Sequence, residues 1–444
     1  MLRTVFVVIA LTAAWSFALQ SPIYAACMYL WIAYFRPESW AWSDIFMSLN
    51  LSYLAGIYLV IRTFLGGVPI KLDARSWLLI AFLIHSLIAT SLGLNSAVSF
   101  TFWWDFAKVM IVGLLLLNII RTAADLRLVL IVIALSLGFE AGKQGWAQLV
   151  LNPGARNDNA VPFLGDNNLV AVGMAMLLPV VGALAATSTG LWKRGFQFLS
   201  IGVLYRAIST YSRGGFLSIG VVGATWFWRS PNKLRSLAAV VLVAALVLPV
   251  LPPAFWERMS TITASSDERD DSAASRLHFW QVAIAMANDR PFIGVGHRGY
   301  ERAYNQYDWT DGQYKTNRAV HSAWFGVLGD LGYPGLILFV LIVVTSLLSC
   351  RRVRLAARRG EVPDELGRYA IAFETAIVAF MIGGSFVSFQ YCEMLWHYFA
   401  LTIALERVAM HEMAAARSRV EQQQREPLTA PQPDREPEPD FVWA

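Results

Sequence analysis

What most limits the folds open to this chain is the recurrence of apolar runs as long as a bilayer's hydrocarbon core is thick. A helix needs about 20 residues to cross ~30 Å of hydrocarbon. Runs near that length cover 3–18, 22–35, 47–64, 76–93, 100–120, 126–146, 167–187, 195–211, 214–229, 235–252, 322–349, 367–388 and 391–410. The first two are short and can form one broken or hairpin element, so the count is twelve or thirteen, with twelve preferred. The expectation is an all-α, polytopic membrane protein of about 12 transmembrane helices. Composition supports that solvent: 56% of residues are hydrophobic and 15% charged, against about 25% charged in soluble domains. The apolar start lacks a small-residue cleavage site and is expected to stay in the mature chain.

The net charge of +5 reads as topology, not as affinity for nucleic acid. The basic residues gather in short loops, at 121–127, at Lys193 and Arg194, at 229–235, and at Arg351, Arg352, Arg354, Arg358 and Arg359. Such loops face the cytoplasm. Alternation then puts the loop at 147–166, the turn at 209–214 and the long segment 253–320 together on the other side, the periplasm of a bacterial inner membrane. The divisions read from the sequence are 1–252 (transmembrane helices), 253–320 (a large periplasmic loop), 321–411 (C-terminal transmembrane helices) and 412–444 (a disordered cytoplasmic tail rich in Pro, Gln and charge). Within the loop, 275–288 spaces Leu277, Trp280, Ile284 and Ala287 as one apolar helical face, able to lie on the bilayer or over a cavity. Pro291 ends that helix. Cys27, Cys350 and Cys392 show no disulfide or metal spacing. No Walker A loop or dinucleotide fingerprint is present, which argues against ATP-driven transport within this chain.

Three polar features share the expected outer side. The turn at 209–215 sets Arg213 at the start of a helix, where guanidinium and free N–H groups make an anion site. A snorkelling arginine capping a hairpin is the plainer reading. Arg276 opens the amphipathic helix with Trp280 one turn on, and a second arginine over the same cavity can share the charge of a diphosphate. Lipid-headgroup contact is the alternative. His321, just before the last long hairpin, can take a proton from a hydroxyl near neutral pH, although a lone histidine is more often structural, and His278, His297 and His397 compete. Gly165, Asp166, Asn167 and Asn168 open a span, with Asp166 as its cap.

Taken together these residues resemble the superfamily of O-antigen ligases, O-antigen polymerases and pilin oligosaccharyltransferases. The matching strings are G-D-N-N-x-x-A at 165–171, S-R-G-G at 212–215, S-R-x-x-x-W at 275–280, R-P-F-I-G-V-G at 290–296 and H-S-x-W-F-x-x-L-G-D-L-G-Y-P-G at 321–335. They agree in order and spacing across 165–340. The run Trp31, Ile32, Ala33, Tyr34, Phe35, Arg36, Pro37 also resembles O-glycosylation ligases associated with exosortase systems. The resemblance implies a GT-C-like glycosyltransferase of lipopolysaccharide assembly, with no cofactor or metal and inverting chemistry. It would move a glycan en bloc from undecaprenyl diphosphate to a hydroxyl of lipid A-core at the periplasmic face. It implies that Arg213 and Arg276 bind the diphosphate and that His321 acts as base or orienter. Arg206, Asp166, Asn168, Trp280, His297, Arg298 and Ser322 are secondary candidates. Ser322 stands where the family often has Asn, and His297 where proline is common. A protein O-oligosaccharyltransferase and an O-antigen polymerase share the donor and remain open. A transporter of polyprenyl-linked glycan is the rival outside enzymes, and Lys108, Glu140, Lys143 and Glu374 are the charges within spans that would favour it.

Overall fold

The computed structural model describes residues 2–41, 46, 48–230, 232–247, 249, 251–260 and 271–425. Among them the long elements are helices: α1 (Leu2–Ala18), α2 (Pro22–Phe35), α3 (Leu51–Leu65), α4 (Ala74–Ser91), α5 (Ser96–Ile119), α6 (Ala123–Leu151), α7 (Asn167–Thr187), α8 (Gly190–Ile208), α9 (Arg213–Arg229), α10 (Lys233–Val247), α11 (Pro253–Ser260), α12 (Asp271–Asp289), α13 (Tyr300–Tyr307), α14 (Ala323–Arg358), α15 (Asp364–Gly383) and α16 (Glu393–Arg425). Length and apolar composition qualify five of these, α4, α5, α7, α14 and α15, to cross a bilayer, and α1, α2 and α3 are apolar but shorter. The chain is an all-helical, multi-pass membrane protein. The tally of about twelve expected above depends on helices with more charge, such as α6 with Asp125, Arg127, Glu140 and Lys143.

The most buried of the five is α7. It packs against α6, α8, α9 and α15, and being apolar on every side it can sit inside the bundle. Small residues set the closest approach: a Cβ on Gly145 of α6 would stand 1.8 Å from the Gly202 carbonyl oxygen of α8. Where lipid gives no hydrophobic drive between helices, such contact is what holds them.

Helix ends alternate between two faces of the bundle. On one, ion pairs join neighbouring helices: Arg75 and Arg352 to Glu406 (2.7 and 2.6 Å), Arg407 to Asp73 (3.1 Å), and Glu374 to both Arg229 and Arg354 (2.5 and 3.1 Å). The other face gathers the starts of α5, α7, α9, α14 and α16. Its backbone contacts include Leu94 N–H to the Val295 carbonyl (3.1 Å) and Ala323 N–H to the Gly384 carbonyl (2.6 Å).

Over this second face lie α12 and α13 with a core of their own, including Phe279, Val282, Ala283, Met286, Tyr300 and Tyr304. This corrects the expected apolar face of 275–288. Ala287 is buried, but Leu277 and Ile284 point outward at 46% and 37% exposure. The helix is apolar on two sides, and the side with aromatic partners on α13 and α14 wins the burial.

The motif strings at 290–296 and 328–335 form one structural unit. Val295 N–H bonds the Gly329 carbonyl (3.0 Å), Gly296 N–H the Asp330 carbonyl (2.9 Å), and Tyr333 N–H the Pro291 carbonyl (2.9 Å). The ladder fits because α14 breaks at Gly332 (φ 68°, ψ −169°), a conformation almost confined to glycine. At the C-terminus, the segment expected to be unstructured from 412 is helical through Arg425, since its Ala, Glu, Gln and Arg residues are strong helix formers. Residues 426–444 of that expected tail lie outside the described residues, as do 261–270 of the expected outer loop.

Candidate active site

The site is built outward from two helix starts. Asp166 caps α7, its carboxylate accepting from the N–H groups of Asn168 (2.7 Å) and Leu169 (3.2 Å). Asn168 in turn accepts the Ser212 hydroxyl at 2.9 Å, and Ser212 caps α9, taking the Gly215 N–H at 3.3 Å. Arg213 is therefore the first residue of α9 and is 8% exposed. The two glycines after it let the helix in. A Cβ on Gly215 would meet that of Ala171 on α7 at 2.2 Å, and one on Gly214 would meet the Phe386 Cβ at 3.2 Å.

The turn after α15 acts as a hub. Besides touching Gly214, Phe386 lies 6.5 Å from the Trp280 ring, and Trp280 stacks on Phe325 of α14 at 5.1 Å. Ser385 accepts from Trp324 Nε1 at 3.1 Å. Trp280 is one turn along α12 from Arg276, Phe325 of α14 is four residues after His321, and Gly214 follows Arg213, so the three elements that carry these residues meet around this turn.

His321 is held in left-handed backbone (φ 49°), with Ser322 behind it as the cap of α14 accepting the Phe325 N–H. Its ring lies 6.3 Å from that of Phe279. Burial first, then the nearby Arg276 and Arg318 guanidiniums, hold the imidazole below its ordinary value, while Asp166 opposes them. The imidazole is thus neutral near pH 7.

The remaining sequence candidates divide. Arg206 is fully buried and donates to Gln144 (2.9 Å) and to the Asn159 carbonyl (2.7 Å), with longer bonds to Asn157 and Asn167 (3.4 Å each). It fixes the 152–166 loop, and through Asn167 the start of α7, so it acts on the site through other residues. His297 is fully buried, its ring 4.0 Å from Tyr391 and 5.1 Å from Phe106, in a separate wall of the same face. Arg298 lies over Phe102 at 5.4 Å. His278 bonds Asp308 (2.9 Å) and His397 bonds Tyr34 (2.8 Å), so both are tied into packing.

Two parts of the site were missed. Arg318 stands over Phe279 (5.5 Å) beside His321, and no spacing in the sequence marks it. The 383–386 turn carried one usable sign, Gly383 and Gly384 at the end of an apolar run. The charges that would favour a transporter are paired: Lys108 with Asp105 (2.7 Å), Lys143 with Glu140 (2.6 Å), and Glu374 with Arg229 and Arg354.

The fold defines a multi-pass membrane protein, with Arg213, Arg276 and His321 carried by elements that meet at one end of its bundle. Residues 198–340, about a third of the chain, match the family model described as O-antigen ligase, which supports the resemblance to that superfamily. Residues 2–168 match a second family model, described as a family of unknown function. No curated protein matches the chain.

Proposed function

We propose that this protein is a membrane glycosyltransferase that moves a glycan en bloc from undecaprenyl diphosphate to a hydroxyl of lipid A-core. Its active site faces the periplasm of the bacterial inner membrane. The observation that carries the reading is the approach of Arg213, Arg276 and His321 around the 383–386 turn. The match of residues 198–340 to the O-antigen ligase family model supports the reaction class. The arginine-rich opposite face supports the orientation, since such residues stay on the cytoplasmic side.

The donor is already activated, so the protein needs only to stabilise charge and orient the acceptor. The acceptor hydroxyl oxygen attacks the anomeric carbon as the bond from that carbon to the diphosphate oxygen breaks. The carbon is inverted and the hydroxyl proton passes to neutral His321. Negative charge appears on the departing diphosphate, where the two guanidiniums take it up, and the polyprenyl chain remains among apolar helices. Cationic side chains at this point make the transfer metal-independent.

The test is transfer by the purified protein in nanodiscs, from an undecaprenyl-diphosphate glycan to lipid A-core, with a pilin-like protein and free glycan as parallel acceptors. No nucleotide or metal is added. Arg213→Ala and Arg276→Ala are expected to reduce the rate at least ~100-fold, the usual loss when a group that stabilises the transition state's charge is removed, while remaining inserted. Wild-type rates from either variant overturn the assignment, and transfer to the pilin-like protein or to free glycan alone changes the acceptor.

A further inference from the structure

On the same face of the bundle is a cavity of about 270 Å³, which no step above uses. Both halves of the chain build it. Arg36 follows α2, Asp105 sits on α5, His297 and Arg298 come from the loop before α13, and Ser388 and Glu393 border the start of α16. Leu169 of its wall follows Asn168, the partner of Ser212. Ser388 is two residues from Phe386, at most ~7 Å of chain.

Three features of this cavity ask for a ligand. His297 is fully buried and both of its ring nitrogens lack a hydrogen-bond partner, which native interiors avoid. The Ser388 hydroxyl is buried and unpartnered in the same wall. The Arg298 guanidinium, held over the Phe102 ring, has no ion-pair partner among the described residues, and Arg36 has its carboxylate, Glu38, only at 3.8 Å. Burial and the Arg298 and Arg302 guanidiniums keep the His297 imidazole neutral, so one ring nitrogen can donate and the other accept. Asp105 and Glu393 add acceptors for hydroxyls, Phe102 and Tyr391 add flat apolar faces, and the two arginines add charge that suits an oxyanion. Hydroxyl donors and acceptors beside aromatic faces are the surroundings of a sugar ring. The volume is just under the ~300–1,000 Å³ of small-molecule sites and suits one ring.

We propose that this cavity binds a single sugar unit bearing a phosphate or carboxylate, as a subsite separate from the Arg213–Arg276–His321 cluster. The saccharide's origin, in the acceptor's core or in the donor's glycan, rests on the glycan-transfer reading; the binding itself does not. The subsite also gives the 2–168 segment a task, since Arg36 and Asp105 belong to it.

The experiment is calorimetry on full-length protein in nanodiscs, titrated with glucose 6-phosphate, with glucose and with inorganic phosphate. Glucose 6-phosphate is expected to bind at least tenfold more tightly than either part. Arg298→Ala and Ser388→Ala should each weaken it about tenfold, whereas Arg213→Ala should bind as wild type. Equal affinity for all three probes, or unchanged affinity in Arg298→Ala, overturns the subsite. Displacement of the probe by lipid A-core places the sugar in the acceptor, displacement by the undecaprenyl-diphosphate glycan places it in the donor, and displacement by neither refutes its origin in either transfer substrate. Arg213→Ala protein that still transfers glycan would instead remove the catalytic reading and leave the binding result standing.

Discussion

Gly332→Ala tests whether the break in α14 is what joins the 290–297 loop to the bundle. Gly332 sits at φ 68°, ψ −169°, where a residue with a Cβ loses about 1–3 kcal/mol. That Cβ would also stand 2.5 Å from the Pro291 carbonyl oxygen and 3.1 Å from the Ile293 nitrogen. Relief of the clash moves loop and kink apart and weakens the Tyr333 N–H to Pro291 bond (2.9 Å), a further ~0.5–1.5 kcal/mol. The sum is roughly 2–4 kcal/mol, a large part of the ~5–15 kcal/mol available to a folded domain. Gly312→Ala is the control, because Gly312 also has positive φ (82°) but nothing within 4 Å of its added Cβ. The strain of positive φ is common to both variants, so thermal unfolding in one detergent should put Gly332→Ala about 1–3 °C below Gly312→Ala, from the remaining ~0.5–1.5 kcal/mol at ~2 °C per kcal/mol for a large chain. Equal midpoints would refute the view that the kink holds the loop by close backbone contact.

Four further outcomes follow from the same geometry. With His321 in its proposed role of neutral base and its imidazole held below the ordinary value, the transfer rate should stay level down through pH 6.5 and fall only below it. Arg318→Gln removes one of the cations responsible, so the acid limb of its kcat–pH profile should move to higher pH; an unmoved limb excludes His321 as the titrating base. Gly145→Ala drives a methyl onto the Gly202 carbonyl oxygen (1.8 Å) and the Arg206 nitrogen (3.0 Å), so it should destabilise the α6–α8 pair by ~1–3 kcal/mol and lower activity through the start of α7. Asp308→Asn loses a carboxylate that accepts from the His278 ring, the Thr310 hydroxyl and the Thr310 and Gly312 N–H groups. It should unfold the outer cap earlier in hydrogen exchange, by ~1.5–3 kcal/mol. Burial pushes Asp308 up, but those donors outweigh it and hold the carboxyl below its usual value. Its contribution in the wild type is therefore complete above the ordinary carboxylate pKa of ~3.9 and lost as pH falls through the lower folded value.

The sequence alone determined the solvent and the class of fold. Apolar runs of bilayer length admit few structures other than helices, because backbone groups have no other partners in hydrocarbon. It also marked one cap: Asp166 precedes a run that can only be helical and caps it as expected, whereas the caps Ser212 and Ser322 emerged only in the structure. Arg213, Arg276 and His321 were legible because a charge beside an apolar run is rare enough to stand out. Which face of α12 is buried was decided by tertiary packing, since that helix offers two apolar sides and only contact with α13 and α14 chooses between them. The role of the 383–386 turn was hard to read for the same reason: it meets Gly214, Trp280 and Trp324, all more than 60 residues away in the chain, and Arg318 is placed by Phe279 of α12; local patterning carries no record of such proximity. The cavity between Arg36 and Glu393 lies furthest from sequence reasoning, because its walls come from the two ends of the chain and exist only once the helices have packed.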